Sequence, residues 1–305
     1  MTAPDPASAP IQGGVLRGIL LMLSAMFMFV MIDAVAKYLA KDLPVMQIVW
    51  ARSVFALLLT PLLLRGRRLS SLMATRRPGV QLLRSGFQFV STIIFFTALK
   101  YIPLADAIAI AFVSPLIITA LSVPMLGEKV GVRRWLAVVV GFLGVLVIIR
   151  PGMGTMEWAM LLPLGMATTS ALYQICTRSL AQTDSPVVTL WYTALTGSVV
   201  ATLVMPFVWT WPGPWEWALM VLLGAFGTIG HYLLIHAYAR APAAVLAPFV
   251  YTQFIWSIGV GFLLFANLPD GFTWLGAAIV SMSGVYTAYR ERVRRAGDSA
   301  VNPPA

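Results

Sequence analysis

Two ionisable residues stand deep inside apolar stretches of this chain. Asp33 lies in Met31-Ile32-Asp33-Ala34-Val35-Ala36-Lys37, and Arg52 lies in the apolar run 45–64. A charged side chain in hydrocarbon costs at least ~2.5–3.5 kcal/mol on insertion scales, so each is a site candidate by default. A carboxylate and a guanidinium can do three things there. They can pair with each other and glue two helices. They can read the opposite charges of a zwitterion. The carboxylate can also take up a coupling proton. At 1.5 Å rise per residue, Asp33 is roughly 6 Å and Arg52 roughly 10 Å below the outer boundary of its run, so the two depths match.

The other chemistry is sparse. His231 and His236 are the two histidines. They are five residues apart and share a helix face poorly, which argues against a metal site. His231 falls inside an apolar run, where it either packs, lines a cavity or carries protons. His236 is expected at the interface. Lys37 ends the first run and is expected to snorkel to the surface. Asp106 and Glu128 sit near run ends, where they are expected to cap or to pair with Lys100 and Lys129. There is no Walker loop, no Gly-x-Ser-x-Gly, no zinc spacing and no redox pair. No catalytic residue, metal or cofactor is therefore expected, and any transport is secondary.

The elements that must hold these residues are membrane helices. Hydrophobic residues make up 59% of the 305-residue chain and charged residues 10%. Soluble domains run nearer 45–50% and about 25%, so the natural solvent here is a lipid bilayer. Ten runs are long or apolar enough: 18–37, 45–64, 80–99, 104–126, 135–149, 158–177, 186–206, 215–236, 243–265 and 272–289. The expected fold class is an all-α membrane protein of ten transmembrane helices. The net charge of +10 sits in short loops, which points to membrane topology and not to nucleic acid. With the N-terminus in the cytoplasm, sixteen cations fall inside and four (Lys37, Lys41, Lys100 and Arg150) outside. That bias places both termini inside, in a multi-pass protein of the bacterial inner membrane. Trp209, Trp211, Trp215 and Trp217 gather at one outer boundary, as an aromatic belt does. Single Cys176 allows no disulfide within the chain. Residues 1–17 read as a disordered cytoplasmic tail without a signal peptide, and 290–305 as a basic cytoplasmic tail.

The chain also repeats itself. Ala98-Leu99-Lys100-Tyr101-Ile102-Pro103-Leu104-Ala105 reads against Ala237-Tyr238-Ala239-Arg240-Ala241-Pro242-Ala243-Ala244, and Trp135-Leu136 against Trp274-Leu275, both at a shift of 139. Lys37-Tyr38-Leu39-Ala40 reads against Arg178-Ser179-Leu180-Ala181 at a shift of 141. The units are 18–150 and 151–289, with five helices each. Five is odd, so the second copy enters the membrane upside down. Inverted repeats are the signature of alternating-access carriers. At the shift of 141, Asp33 maps to Gln174 and Arg52 to Thr193, so the second half keeps polarity there and drops charge. Gly224, Gly227 and Gly230 recur every three residues, as do Gly141 and Gly144, which suggests tight helix crossings.

Several strings resemble the EamA type of the drug/metabolite transporter superfamily. They are Met31 to Lys37, Ala98 to Ala107, Ser114-Pro115-Leu116, Gly127-Glu128-Lys129 and Gly141-Phe142-Leu143-Gly144 in the first half. In the second half they are Tyr238-Ala239-Arg240-Ala241-Pro242 and Ala247-Pro248-Phe249-Val250-Tyr251. The resemblance implies ten helices, cytoplasmic termini and a central cavity between the halves. Its members carry amino acids, cofactors, vitamins, metallophores and other metabolites. Tyr173, Tyr192, Phe112, Tyr251, Gln253 and Trp256 fall on helices that the family places around the cavity, and Gln88 joins them from the third. Each is equally a packing or interface residue by type. One departure is plain: Ala266-Asn267 stands where the first half has Gly127-Glu128, so the two helix ends are expected to differ.

The reading is a secondary carrier that exports a small polar metabolite, an amino acid or a compound derived from one. Uptake of a cofactor-like molecule such as S-adenosylmethionine or a flavin is the alternative. A membrane enzyme acting on a lipid intermediate and a channel are the readings of other classes. The expected partners are a small-molecule substrate and the bilayer, with no nucleic acid, in a monomer or a homodimer. Single cysteines placed in the 65–79 loop, with Cys176 replaced, are expected to react with an impermeant maleimide from the cytoplasmic side alone. Reaction from outside overturns the topology.

Overall fold

A computed structural model describes residues 9–63, 72–127, 130–152, 157–180 and 183–301. Hydrocarbon offers no partner to an unpaired backbone amide, so the chain satisfies its amides within helices. These are α1 (Ala9–Leu39), α2 (Val45–Leu59), α3 (Pro78–Tyr101), α4 (Leu104–Ala111), α5 (Ser114–Leu126) and α6 (Val132–Ile149). The second half adds α7 (Glu157–Leu180), α8 (Pro186–Val208), α9 (Pro214–Tyr238), α10 (Ala243–Leu246), α11 (Thr252–Phe265) and α12 (Gly271–Val301). A 3-10 turn, Thr60–Leu63, extends α2, and another, Ala247–Tyr251, joins α10 to α11. The pairs α4/α5 and α10/α11 are each one broken rod, so the described residues form ten rods. Among the described residues eight stretches are long and apolar enough to cross a membrane by length and composition, and Val45–Leu59 is a shorter apolar one. The first half of α12 supplies the tenth rod. Glu128 and Lys129 lie outside the described residues, as do parts of the 65–79 loop and of the two tails.

The rods pack chiefly as α1 with α9, α3 with α7, α2 with α8, and α6 with α12. Exchanging the halves maps this pattern onto itself. The direction of the equivalent helices decides the symmetry. On α2 and α8, Gln47 meets Thr210, Trp50 meets Thr202, and Ser53 meets Gly197, so α2 and its copy run antiparallel. On α6 and α12, Gly144 meets Ile279 and Ile148 meets Gly276, with the same result. The repeat is inverted, and both termini lie at one end of the bundle, here called the terminal end.

The two breaks follow the same symmetry. Helical bonding lapses at Phe112–Val113 in the first half and over Ala247–Tyr251 in the second. Phe112 and Tyr251 are equivalent residues, 139 apart, and their rings meet edge to face at 4.9 Å. The ends of the broken rods also agree, against the expectation drawn from Ala266-Asn267. Gly127 (φ 67°) and Ala266 (φ 53°) both cap their helices in the left-handed region. The backbone needs that turn to end the rod, and Ala266 accepts a strain of about 1 kcal/mol to provide it.

Polar clasps tie the halves at each end. At the terminal end, Asp184 accepts from Thr75, from the Arg76 amide at 3.3 Å and from Gln81 at 2.8 Å. Burial alone pushes the Asp184 carboxyl up, but these hydrogen bonds outweigh it and hold it below the usual carboxylate range. Its contribution is therefore present at neutral pH and is lost as pH falls through that lowered value. At the far end, Arg150 pairs with Asp270 at 2.5 Å, Gln47 exchanges two hydrogen bonds with the Thr210 backbone, and Tyr101 meets Trp158 edge to face.

Three sequence expectations change here. Lys37 does not snorkel: its ammonium donates to the carbonyls of Leu99 and Ile102, both at 2.7 Å, and so caps the end of α3. Asp106 is buried beside Thr273 and Lys37 and not paired with Lys100. Arg84, one of the sixteen cations assigned to the inside, is within α3 with its side chain buried.

The glycine spacing on α9 is used unevenly. A Cβ on Gly224 would collide with the Phe55 side chain and approach its carbonyl carbon to 2.9 Å. A Cβ on Gly227 would reach Ile32 at 3.7 Å, an ordinary contact. Gly224→Ala is expected to destabilise the protein by about 1–3 kcal/mol, while Gly227→Ala is close to neutral. Thermal unfolding in detergent checks this, and equal melting of the two variants refutes the packing argument.

Candidate functional site

α3 and α7 run side by side, each with a polar stripe at helical spacing. On α3 the stripe is Arg84, Gln88, Ser91 and Thr92; on α7 it is Ser170, Tyr173, Gln174 and Thr177. Residues three and four apart share a helix face, so these stripes face the same space. Arg84 and Thr177 bond to each other at one end of it, and the remaining stripe residues line a cavity of about 750 Å³ at the interface of the halves. It reaches the terminal end between α1, α9, the Ala247–Tyr251 turn and α12, past Met22, Tyr238 and Tyr289. At its deep end lie Ile32, Phe95, Phe96 and Ile108, below the far-end clasps.

Nine of the expected residues line this cavity: Asp33, Arg52, Gln88, Phe112, Tyr173, Gln174, His231, Tyr251 and Gln253. Asp33 is 8% exposed, with Arg52 and Gln253 as the polar groups acting on its carboxylate. Arg52 Nη1 donates to the Thr92 hydroxyl at 2.7 Å. Among the described residues the ion pair within 4.0 Å is Arg150–Asp270, so Asp33 and Arg52 share the cavity without closing on each other. A carboxyl and a guanidinium thus line one cavity more than 4.0 Å apart. Gln174 Nε2 lies 3.5 Å from the Ser114 hydroxyl, beside the break between α4 and α5. The His231 ring packs on Phe29 at 5.1 Å and lines both this cavity and a smaller crevice of about 190 Å³ between α2, α8 and α9.

Two expected residues lie elsewhere. Tyr192 sits on the other face of α8, and its hydroxyl donates to the Met73 carbonyl at 3.2 Å. Trp256 packs edge to face on Phe27 at 5.3 Å and is 38% exposed, away from the cavity. Both have the right depth and the wrong azimuth. The sequence reading also missed Ser91, Thr92, Ser114 and Ser170, which line the cavity, and Arg84 behind it. The polar stripes on α3 and α7 are the signal that locates all of these except Ser114, which begins α5.

The model of the EamA-like transporter family matches this chain twice, over residues 16–150 and 157–289. The chain belongs to the EamA-like transporter family. It is 30% identical to a riboflavin transporter of Vibrio cholerae, across 88% of this chain and 91% of that one. It is 27% identical to an S-adenosylmethionine uptake transporter of Rickettsia felis, across 85% and 88%. A pseudopaline exporter of Pseudomonas aeruginosa is 27% identical, across 86% and 93%. A protein of known crystal structure superposes with a TM-score of 0.61 at 21% identity, covering 91% of this chain and 97% of its own, which supports the fold. This EamA-like protein is a multi-pass membrane transporter of the drug/metabolite superfamily. Family and relatives point to a transporter and not to an enzyme.

Asp33→Asn keeps the shape of the side chain and removes its charge. This variant is expected to insert and express normally while losing transport. Normal transport at normal expression removes Asp33 from the site.

Proposed function

We propose that this EamA-like protein carries a polar, ring-bearing metabolite of cofactor size by alternating access, in the cytoplasmic membrane of a bacterium with both termini in the cytoplasm. The observation that carries the reading is the 750 Å³ cavity between inverted halves, with Asp33 and Arg52 held apart in its wall. Pockets of about 300–1,000 Å³ suit drug-sized ligands, and a single amino acid leaves most of such a space unfilled. Volume therefore favours the cofactor-like alternative over a lone amino acid, and the names of two relatives run in the same direction. Phe95, Phe96, Phe112, Tyr173 and Tyr251 give a flat ring faces to stack on. Asp33 and Gln253 suit donors on the cargo, and Arg52 and Gln88 suit acceptors.

The inverted halves support the mechanism. In this conformation the cavity is open at the terminal end and the far end is clasped. Exchanging the conformations of two equivalent halves reverses which end is open. A carrier without a nucleotide site moves cargo down its combined gradients, so the same protein serves uptake or export.

Purified protein in liposomes loaded with unlabelled riboflavin, riboflavin 5′-phosphate or S-adenosylmethionine tests this. Entry of the labelled compound is expected to saturate and to speed up with the trans load for at least one of them. Asp33→Asn is expected to lack that counterflow. Flux that rises linearly without saturation favours a channel and refutes the carrier.

A further inference from the structure

Arg84 is 2% exposed and sits in the membrane part of α3. Its guanidinium donates to the Thr177 hydroxyl at 2.6 Å, the Thr193 hydroxyl at 2.7 Å, the Thr189 carbonyl at 3.1 Å and the Tyr173 hydroxyl at 2.6 Å. Each of these partners is neutral. Among the described residues no carboxylate pairs with it. Of the residues lining the cavity, Asp33 is the acidic one and Arg52 the basic one, and these cancel. Arg84, immediately behind the Tyr173 wall, leaves one positive charge over.

The geometry at Tyr173 gives that surplus a direction. Arg84 Nη2 donates to the phenol oxygen, and the guanidinium carbon lies 4.3 Å from the ring centroid. An oxygen that accepts from a cation there turns its own proton elsewhere, and polarisation by the cation makes that proton a stronger donor. Tyr173 lines the cavity, and its hydroxyl accepts from Arg84 while no acceptor among the described residues takes its own proton, which leaves that proton for cargo. Arg52 stands within electrostatic reach of Tyr173, and Thr92 takes one of its five N–H groups, leaving the others for cargo. His231 lies in the field of both arginines.

Resting on the carrier reading above, we propose that the cargo carries a net negative charge, as a carboxylate or a phosphate, received by the Tyr173 hydroxyl and the Arg52 guanidinium. Arg84 is a positioning residue: it touches no cargo and acts by holding and polarising Tyr173. Hydrogen bonds to charged groups are the strong ones, so the preference is expected to be about tenfold.

Matched probes that differ in one anionic group test this: riboflavin and riboflavin 5′-phosphate, nicotinamide and nicotinate, pterin and pterin-6-carboxylate. Binding to the purified full-length protein is read from tryptophan fluorescence and thermal shift. The anionic member of at least one pair is expected to bind about tenfold more tightly. In Tyr173→Phe, which keeps the ring and three of the Arg84 bonds, that ratio is expected to fall toward one. Arg84→Gln is expected to do the same if it folds, and Tyr173→Phe carries the test if it does not. Equal or weaker binding of every anionic member, binding by none of them, or a ratio that survives Tyr173→Phe overturns the inference. Labelling of cavity cysteines from both sides of the membrane does not depend on cargo charge. If access alternates while the charge preference is absent, the carrier stands and the anion falls.

Discussion

Everything in this fold follows from a solvent that forms no hydrogen bonds. In lipid the backbone pays heavily for any lapse of helix, so a lapse survives where protein or a cavity surrounds it. The chain permits two central lapses, at Phe112–Val113 and over Ala247–Tyr251, and both border the cavity. The inverted symmetry brings them together, and the Phe112–Tyr251 contact closes them on each other. The cavity sits where the two broken rods meet. The glycine seams and polar clasps then hold eight straighter rods around that centre.

Within this symmetric frame the charge is lopsided. The first half supplies Asp33, Arg52 and Arg84. The second half answers with neutral partners. Gln174, the counterpart of Asp33, lines the opposite wall, and Thr193, the counterpart of Arg52, accepts from Arg84. Neutral partners let a cation stay charged without cancelling it. A salt bridge in the same place would glue the helices and leave the cavity electrically silent.

Much of this was legible in the sequence, for a definite reason. Hydropathy and run length locate a residue along a helix, and they placed ten rods, the inverted halves, and Asp33 and Arg52 at matching depth. They do not give the direction around the helix axis when a rod is apolar on nearly all faces. Tyr192 and Trp256 therefore came out at the right height on the wrong side. α3 and α7 are different, because Arg84, Gln88 and Ser91 or Ser170, Tyr173 and Thr177 mark one face at helical spacing. Lys37 misled because snorkelling and capping both suit a lysine at a helix end, and the neighbouring carbonyls of Leu99 and Ile102 come from a different helix. Ala266 misled because backbone shape can persist where side chains diverge.

The inverted repeat has a consequence for the parts that do not cross the membrane. Loops at equivalent positions of the two halves face opposite compartments. The connection from α2 to α3 holds Arg65, Arg67, Arg68, Arg76 and Arg77; its equivalent from α8 to α9 is Trp209-Thr210-Trp211-Pro212-Gly213. One carries cations and the other indoles, although both join the same two rods of one ancestral unit. The rods can stay alike while the loops are driven apart. Orientation in the bilayer is thus written into the residues between the rods, and each half bears its own instruction for which way up to be inserted.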